Sequence, residues 1–303
     1  MSVQSANGQS NGANGASAPV RALVLSGGGV LGALQAGILR ALFRTPYQPD
    51  LIVGTSVGAL NGAFVSFRPD ADGADELVNI WGSLRDKSLF MFNPLRIAYQ
   101  MFTQKLCLFN SDLLKELVEQ YAPADDFGAT KIPLYITTTN LSKGHKQVFH
   151  EGPISRAILA STALPGFFCP VEIDGDQYVD GGVLANLDLE TALDLGATEI
   201  LAIDLSRCID GQRPDTMVSL WMQTLDVIQR ERVESEMARL APKAHITLIQ
   251  PGIETSQSLS SFSKVEQLMD EGQTFGEKLI DAYREPDGRL QAGLIHKPLH
   301  IHK

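Results

Sequence analysis

Cysteine, net positive charge and long uncharged apolar runs are all scarce in this chain, and each shortage removes a class of function. Three cysteines in 303 residues, Cys107, Cys169 and Cys208, are too few and too scattered for a disulfide framework or a Cys-x-x-Cys metal site. A reducing, cytoplasmic setting is the expectation drawn from this, with Cys169 as a small core residue. An excess of 35 acidic over 25 basic side chains leaves a formal charge of −10. That balance argues against nonspecific binding to nucleic acid and against adhesion to a strongly anionic membrane through net charge, while neutral lipid surfaces stay open. No uncharged apolar run approaches the roughly 20 residues of a membrane-spanning helix. Residues 1–20 almost lack bulky apolar side chains until Val20, and they lack the basic start and apolar stretch of a secretory signal. Rich in Ser, Asn, Gly, Ala and Gln, they cannot offset their ordering entropy by burial and read as a disordered tail.

The remainder, in a chain 44% hydrophobic overall, can bury one sizeable core. Arg21 to Ser26 is a short apolar strand that ends in Gly27-Gly28-Gly29, and Leu34 to Phe43 comes next with helical spacing. Leu51 to Val53 and Ala59 to Phe67 repeat that order. Further strands are expected at Leu134–Thr139, Lys146–Phe149, Ile200–Leu205 and His245–Ile249, with a hairpin turning at Asp174-Gly175-Asp176. Helices are expected at Ser111–Tyr121, Pro153–Ala160, Leu187–Leu195, Thr216–Leu240 and Ser263–Tyr283. The alternation predicts a three-layer α/β/α sandwich around a mostly parallel sheet. The core spans 21–206, residues 207–285 complete the same domain, and 286–303 form a polar tail. Residues 88–109 are rich in Phe, Met and Leu and carry only Arg96 and Lys105 as charges. They suit two amphipathic helices buried on the sheet, a cap over an apolar pocket, or a peripheral contact with a lipid surface, and these readings are compatible.

Gly54-Thr55-Ser56-Val57-Gly58 stands between an apolar strand and a small-residue helix. Glycines two before and two after a serine permit a sharp strand-to-helix turn that presents the hydroxyl to a substrate carbonyl. Such a nucleophile needs a base, an oxyanion site and a dry pocket. The amides of Gly27, Gly28 and Gly29, ahead of a helix N-terminus, suit a developing negative charge. The spacing Gly27-x-Gly29-x-x-Gly32 also fits a dinucleotide loop, but Asp50 precedes the second strand, whereas a ribose-binding acid belongs at its end. The oxyanion reading is therefore favoured. For the base, a serine, acid, histidine order offers His245 with Asp180 or Asp204, yet His245 opens a strand. Asp180, with Gly181 and Gly182 after it in a turn, is the better candidate. Asp204 reads as a loop cap, and Asn186 and Asp188 as a helix start.

These residues resemble the patatin-like phospholipase family, bacterial type. The resemblance rests on Gly27 to Gly32, on Gly54 to Gly58 and on Asp180-Gly181-Gly182, in that order. Ala160-Ser161-Thr162-Ala163-Leu164-Pro165 with Phe167, Phe168, Pro170 and Val171 adds to it, and it extends over roughly residues 21–285. It implies a serine acyl hydrolase that cleaves lipid or other carboxylic esters with a Ser56-Asp180 dyad, an oxyanion loop at Gly27 to Gly29, and neither metal nor organic cofactor. One departure is visible: Leu31 stands where many members carry Arg or Lys, which moves the expectation from phosphate headgroups toward neutral esters. A Ser-Asp-His esterase using His245, and a catalytically idle lipid-binding module, remain the alternatives.

Overall fold

Strand and helix alternate in the computed structural model, which describes residues 18–84, 115, 118, 124–206, 213–251, 253–254, 264–286, 289–296 and 299–300. Most of the expected tail, the segment 88–109, most of the helix expected from Ser111 to Tyr121, and Cys107 and Cys208 lie outside the described residues. The helices are α1 (Gly32–Phe43), α2 (Val57–Phe67), α3 (Ala71–Ser83), α4 (Ile154–Ser161), α5 (Leu189–Asp194), α6 (Met217–Leu240) and α7 (Val265–Tyr283). The first two strands, β1 (Arg21–Leu25) and β2 (Leu51–Thr55), are the short apolar runs expected from sequence.

Their side chains alternate between two cores, as the period of two in a strand requires. Leu23, Leu25 and Ile52 pack with residues of α1, α2, α3 and α7, whereas Ala22, Val24, Leu51 and Val53 pack with α5 and α6. Both faces of the sheet are therefore covered, and the chain is the expected three-layer α/β/α sandwich. One sheet holds β3 (Leu134–Asn140), β4 (His145–Phe149), β5 (Val171–Ile173), β6 (Asp176–Asp180), β7 (Glu199–Ile203), β8 (His245–Gln250) and β10 (Gly293–His296) together with β1 and β2. Its order is β10-β8-β7-β1-β2-β3-β6-β5, with β4 also on β3. Pairing is parallel from β10 through to β3 and antiparallel among β3 to β6. A separate pair joins β9 (Ile253–Glu254) to β11 (Leu299–His300).

The register around β3 sets up the site. β4 occupies one edge of β3 from Ile136 to Asn140. On the other edge β2 arrives parallel and ends with Thr55 opposite Thr137, while β6 arrives antiparallel and ends with Asp180 opposite Thr138. Two strands thus meet end to end against a third, and the residues that leave their tips, Ser56 and Asp180, emerge together. The β5–β6 hairpin turns through Asp174 and Gly175, both at positive φ (52° and 83°), as a tight two-residue turn demands.

Three expectations change. Helix α3 is not among the helices expected from sequence, although Asp70 caps it and Ala74, Leu77, Val78 and Trp81 recur at helical spacing. Residues 293–296, read as part of a polar tail, form a strand beside β8 because Leu294 and Ile295 continue the parallel ladder. Cys169 is exposed and disulfide-bonded rather than a core thiol, with its partner outside the described residues. Among the described residues, no helix is long and apolar enough to cross a membrane.

Candidate active site

Ser56 is built into a strained turn. Its φ of 54° with ψ of −122° is a backbone state that a non-glycine residue holds only when the surroundings enforce it. The flanking glycines let the strand and helix close on one another. A Cβ at Gly54 would lie 2.6 Å from the Gly58 carbonyl oxygen, and one at Gly58 would lie 2.3 Å from that of Leu25. Buried Ser161, on α4, then fixes the turn: its Oγ accepts from the Ser56 amide at 2.8 Å and donates to the Thr137 carbonyl at 2.7 Å.

The Ser56 hydroxyl donates to Asp180 Oδ2 at 2.7 Å. The other carboxyl oxygen accepts from the Gly182 amide at 2.7 Å, within the turn that Gly181 opens. The Asp180 backbone is held on both sides, its amide donating to Ala163 and its carbonyl accepting from Thr139 Oγ1. Burial pushes the Asp180 carboxyl up to about 6, against the opposing pull of the bonds from Ser56 and Gly182. A base in that range suits proton transfer near neutrality far better than an ordinary aspartate.

Gly27, Gly28 and Gly29 pass beside the serine, where a Cβ on Gly27 would lie 2.9 Å from Ser56 Cβ. The Gly27 amide is engaged with the Asn186 carbonyl at 3.3 Å, whereas those of Gly28 and Gly29 meet no acceptor among the described residues. Two of the three expected donors are therefore available to a ligand. A buried polar chain holds this loop from behind. Trp81 Nε1 donates to Asn61 Oδ1 at 2.9 Å, Asn61 Nδ2 donates to Gln35 Oε1 and to the Gly32 carbonyl, both at 3.0 Å, and Gln35 Nε2 reaches the Ser26 carbonyl. Asp204, fully buried, accepts from the Ser206 amide and hydroxyl and from Gln250, which bears out its reading as a loop cap. Asp188 caps α5 and also receives Lys146 and Thr137.

Ser56 and Asp180 open into a cavity of about 170 Å³ whose walls are mostly apolar, including Val30, Leu31, Leu60, Trp81, Leu164 and Phe168. Leu31 is nearly fully buried and lines this cavity, so the missing cation is replaced by a greasy wall. The far side is α6, which contributes Met222, Leu225, Asp226 and Gln229. Gln229 Nε2 ties that helix to the Asp-Gly turn through the Gly182 carbonyl at 3.0 Å.

His245 does not join this group. It pairs with Glu199, at the start of β7, and its Nε2 faces the Leu290 carbonyl at 2.7 Å. Ser56 lies past the opposite, C-terminal ends of the parallel strands, a strand length away. No histidine among the described residues lines the cavity. Asp50 likewise sits at the far end, accepting from the Arg21 amide at 2.7 Å, which removes the nucleotide-loop reading.

A family model described as Patatin-like phospholipase matches residues 23–193, from β1 through α5. The chain belongs to this family. Both the Ser56 elbow and the Asp180 turn lie inside the matched span. Among curated relatives, the lysophospholipase nte1 of Aspergillus terreus is 31% identical over 208 residues, covering 66% of this chain and 13% of its own length. The lysophospholipase NTE1 of Phaeosphaeria nodorum is 28% identical over 290 residues, covering 87% of this chain and 18% of its own length. The mouse patatin-like phospholipase domain-containing protein 6 is 24% identical over 290 residues, covering 86% and 20% respectively. The chain thus spans a fifth or less of these relatives. Among solved structures, VipD from Legionella pneumophila aligns with a TM-score of 0.45 at 14% identity, covering 86% of this chain and 67% of that one. Human GIVD cytosolic phospholipase A2 aligns with a TM-score of 0.42 at 14% identity, covering 87% and 58%.

Proposed function

We propose that this patatin-like chain is a serine acyl hydrolase that cleaves carboxylic esters of lipids, with Ser56 as nucleophile and Asp180 as its base. The observation that carries the reading is the 2.7 Å hydrogen bond from Ser56 Oγ to a buried carboxylate at the mouth of an apolar cavity. Ser56 attacks the ester carbonyl while Asp180 takes its proton, and the amides of Gly28 and Gly29 receive the oxyanion. Collapse of the tetrahedral intermediate breaks the ester bond, and Asp180 returns the proton to the departing alcohol. The acyl group then rests on Ser56 Oγ. Water, deprotonated by Asp180, attacks it; the acid leaves, and the proton returns to Ser56. On the protein side, the groups this cycle uses are backbone amides and the two side chains Ser56 and Asp180.

Single-chain phospholipids and acylglycerols are the proposed substrate class. The relatives named lysophospholipases support it, as does a cavity whose walls are mostly apolar. The buried Leu31 favours recognition through the acyl chain over recognition through a phosphate. Peripheral contact with lipid is part of the same proposal, because a substrate of this class resides in an aggregate. Residues 88–109, expected from sequence to suit that contact, lie outside the described residues.

The test is covalent labelling with a fluorophosphonate. The protein is expected to take one equivalent at Ser56, with none on Ser56→Ala, and to hydrolyse lysophosphatidylcholine and p-nitrophenyl butyrate only while Ser56 is intact. Full hydrolysis by Ser56→Ala would overturn the assignment.

A further inference from the structure

Helix α6 carries apolar side chains on two sides. Met222 and Leu225, with Gln229, face the Ser56 cavity. Met217, Leu220, Trp221, Val227 and Ile228 face the other way and are 44% to 88% exposed. With about 3.6 residues per turn these five fall in a single stripe along the first three turns, opposite the cavity-lining positions. They are also five of the eight large apolar residues exposed among the described residues; the other three, Leu141, Leu195 and Leu294, stand on separate elements. Such concentration marks a contact surface rather than ordinary scatter.

We propose that this stripe is the surface on which a zwitterionic phospholipid layer docks, so that α6 is a thin wall between the lipid and the Ser56 cavity. Docking stands on the helix alone; the hydrolysis that docking serves rests on the hydrolase reading. Three observations select a lipid layer as the occupant. The stripe and the cavity lie on opposite sides of one helix, about 10 Å across, so a lipid seated on the stripe lies within an acyl-chain length of Ser56. From Met217 to Gln229 the only charged residue is Asp226, and it lines the cavity instead of the stripe. With a net charge of −10 the protein gains no attraction from an anionic surface, which leaves apolar insertion into a neutral one. Trp221 sits within the stripe, the residue type that rests at the boundary between headgroups and acyl chains. The next turn carries charges of both signs, Arg230, Glu231 and Arg232, which suits a zwitterionic headgroup region better than an anionic one.

The chain supplies its own probe. Of its two tryptophans, Trp81 is buried with its indole N–H on Asn61, while Trp221 is exposed. With phosphatidylcholine vesicles added to Ser56→Ala protein, which removes turnover, the Trp221 emission is expected to shift to the blue and to be quenched by brominated phosphatidylcholine. The double variant Leu220→Glu/Ile228→Glu is expected to partition into those vesicles about tenfold less or weaker still. In the Ser56-containing background it should lose hydrolysis of vesicle-borne substrate to a similar degree, while turnover of soluble p-nitrophenyl butyrate stays within about twofold. Absence of quenching in the otherwise unsubstituted helix overturns the proposal without any reliance on the variant folding. So does a parent that sediments as a dimer, is dispersed by the double substitution and ignores vesicles, since a second copy would then be the occupant. Vesicle binding by a parent that hydrolyses no ester leaves docking standing and overturns the hydrolase reading instead.

Discussion

Asp180 has to be ionised to accept a proton, and burial makes that harder: its carboxyl titrates at about 6 instead of 3.8. With Asp180 as base, kcat/KM is expected to fall on the acid side along a single limb with an apparent pKa of about 6. A pH series on p-nitrophenyl butyrate checks this, and a profile flat from about pH 5 to 7 would remove Asp180 from the role. Ser161 is a positioning residue by the same reasoning. Its hydroxyl satisfies the amide of Ser56 and a carbonyl of β3 at once. Ser161→Ala removes the acceptor of the Ser56 amide and a donor to the Thr137 carbonyl, at a cost of about 1–3 kcal/mol in stability. Its kcat is expected to drop about tenfold with KM little changed, because the strained Ser56 turn loses its tether while the cavity walls stay. Equal losses in kcat and in folded fraction would mean that Ser161 is only structural. The two residues that meet, Ser56 and Asp180, were both singled out in the chain, since Gly-x-Ser-x-Gly and Asp-Gly-Gly are local patterns. Ser161 lay in a stretch that resembles the family, but its role was not legible, because a hydrogen bond across 105 residues leaves no local pattern.

At the scale of elements, the meeting of β2 and β6 on one edge of β3 explains how residues 124 apart in sequence come within one hydrogen bond. Periodicity found those strands and the parallel order, yet it carries no register, so the encounter itself could not be read from sequence. The Gly27–Gly29 loop, the proposed oxyanion site, depends on a similar long-range device. Asn61 of α2 links Trp81 of α3 to Gln35 of α1 and, through it, to the carbonyl of Ser26 just before the glycines. Asn61→Leu is similar in volume and leaves the Gly32 carbonyl its place in the α1 ladder, but takes the hydrogen-bond partner from the Trp81 indole N–H and from the Gln35 side-chain oxygen. It is expected to lower the melting temperature by several degrees, as about 2 kcal/mol would, and to reduce kcat more than it raises KM. A stability loss with unchanged kcat per folded molecule would separate the network from the loop. Helix α6 shows a different limit on sequence reading. Its position was anticipated almost to the residue, from Thr216 to Leu240, but apolar residues on two sides give no one-sided pattern to announce which face meets the cavity.

Across the whole molecule, buried carboxylates govern how stability varies with pH. Asp180, Asp204 and Glu236 are all raised by burial, each against weaker opposing hydrogen bonds or, for Glu236, the nearby Arg232. The sign is set by which state holds the proton. Between an unfolded value near 4 and the raised folded value, the unfolded chain has released the proton while the folded chain keeps it, so stability declines as pH rises through that window. For Asp180, from 3.8 to about 6, the full effect is about 3 kcal/mol, absent below the unfolded value and complete above the folded one. The net charge of −10 acts in the same direction, since self-repulsion grows as further acids ionise. Urea midpoints are therefore expected to be higher at about pH 5 than at pH 8, the reverse of a protein whose carboxylates are held ionised by salt bridges. Asp180→Asn keeps the shape and cannot ionise, so it should be inactive yet more stable than the parent at pH 8, with a shallower decline between the two pH values. The dyad aspartate would then be a group the fold retains at a cost to its own stability, a relation expected where a base is tuned by burial. A parent whose midpoint rises steadily from pH 5 to 8, or an Asp180→Asn protein that is less stable at pH 8, would show that Asp180 is ionised without penalty and that its environment is wetter than the cavity walls imply.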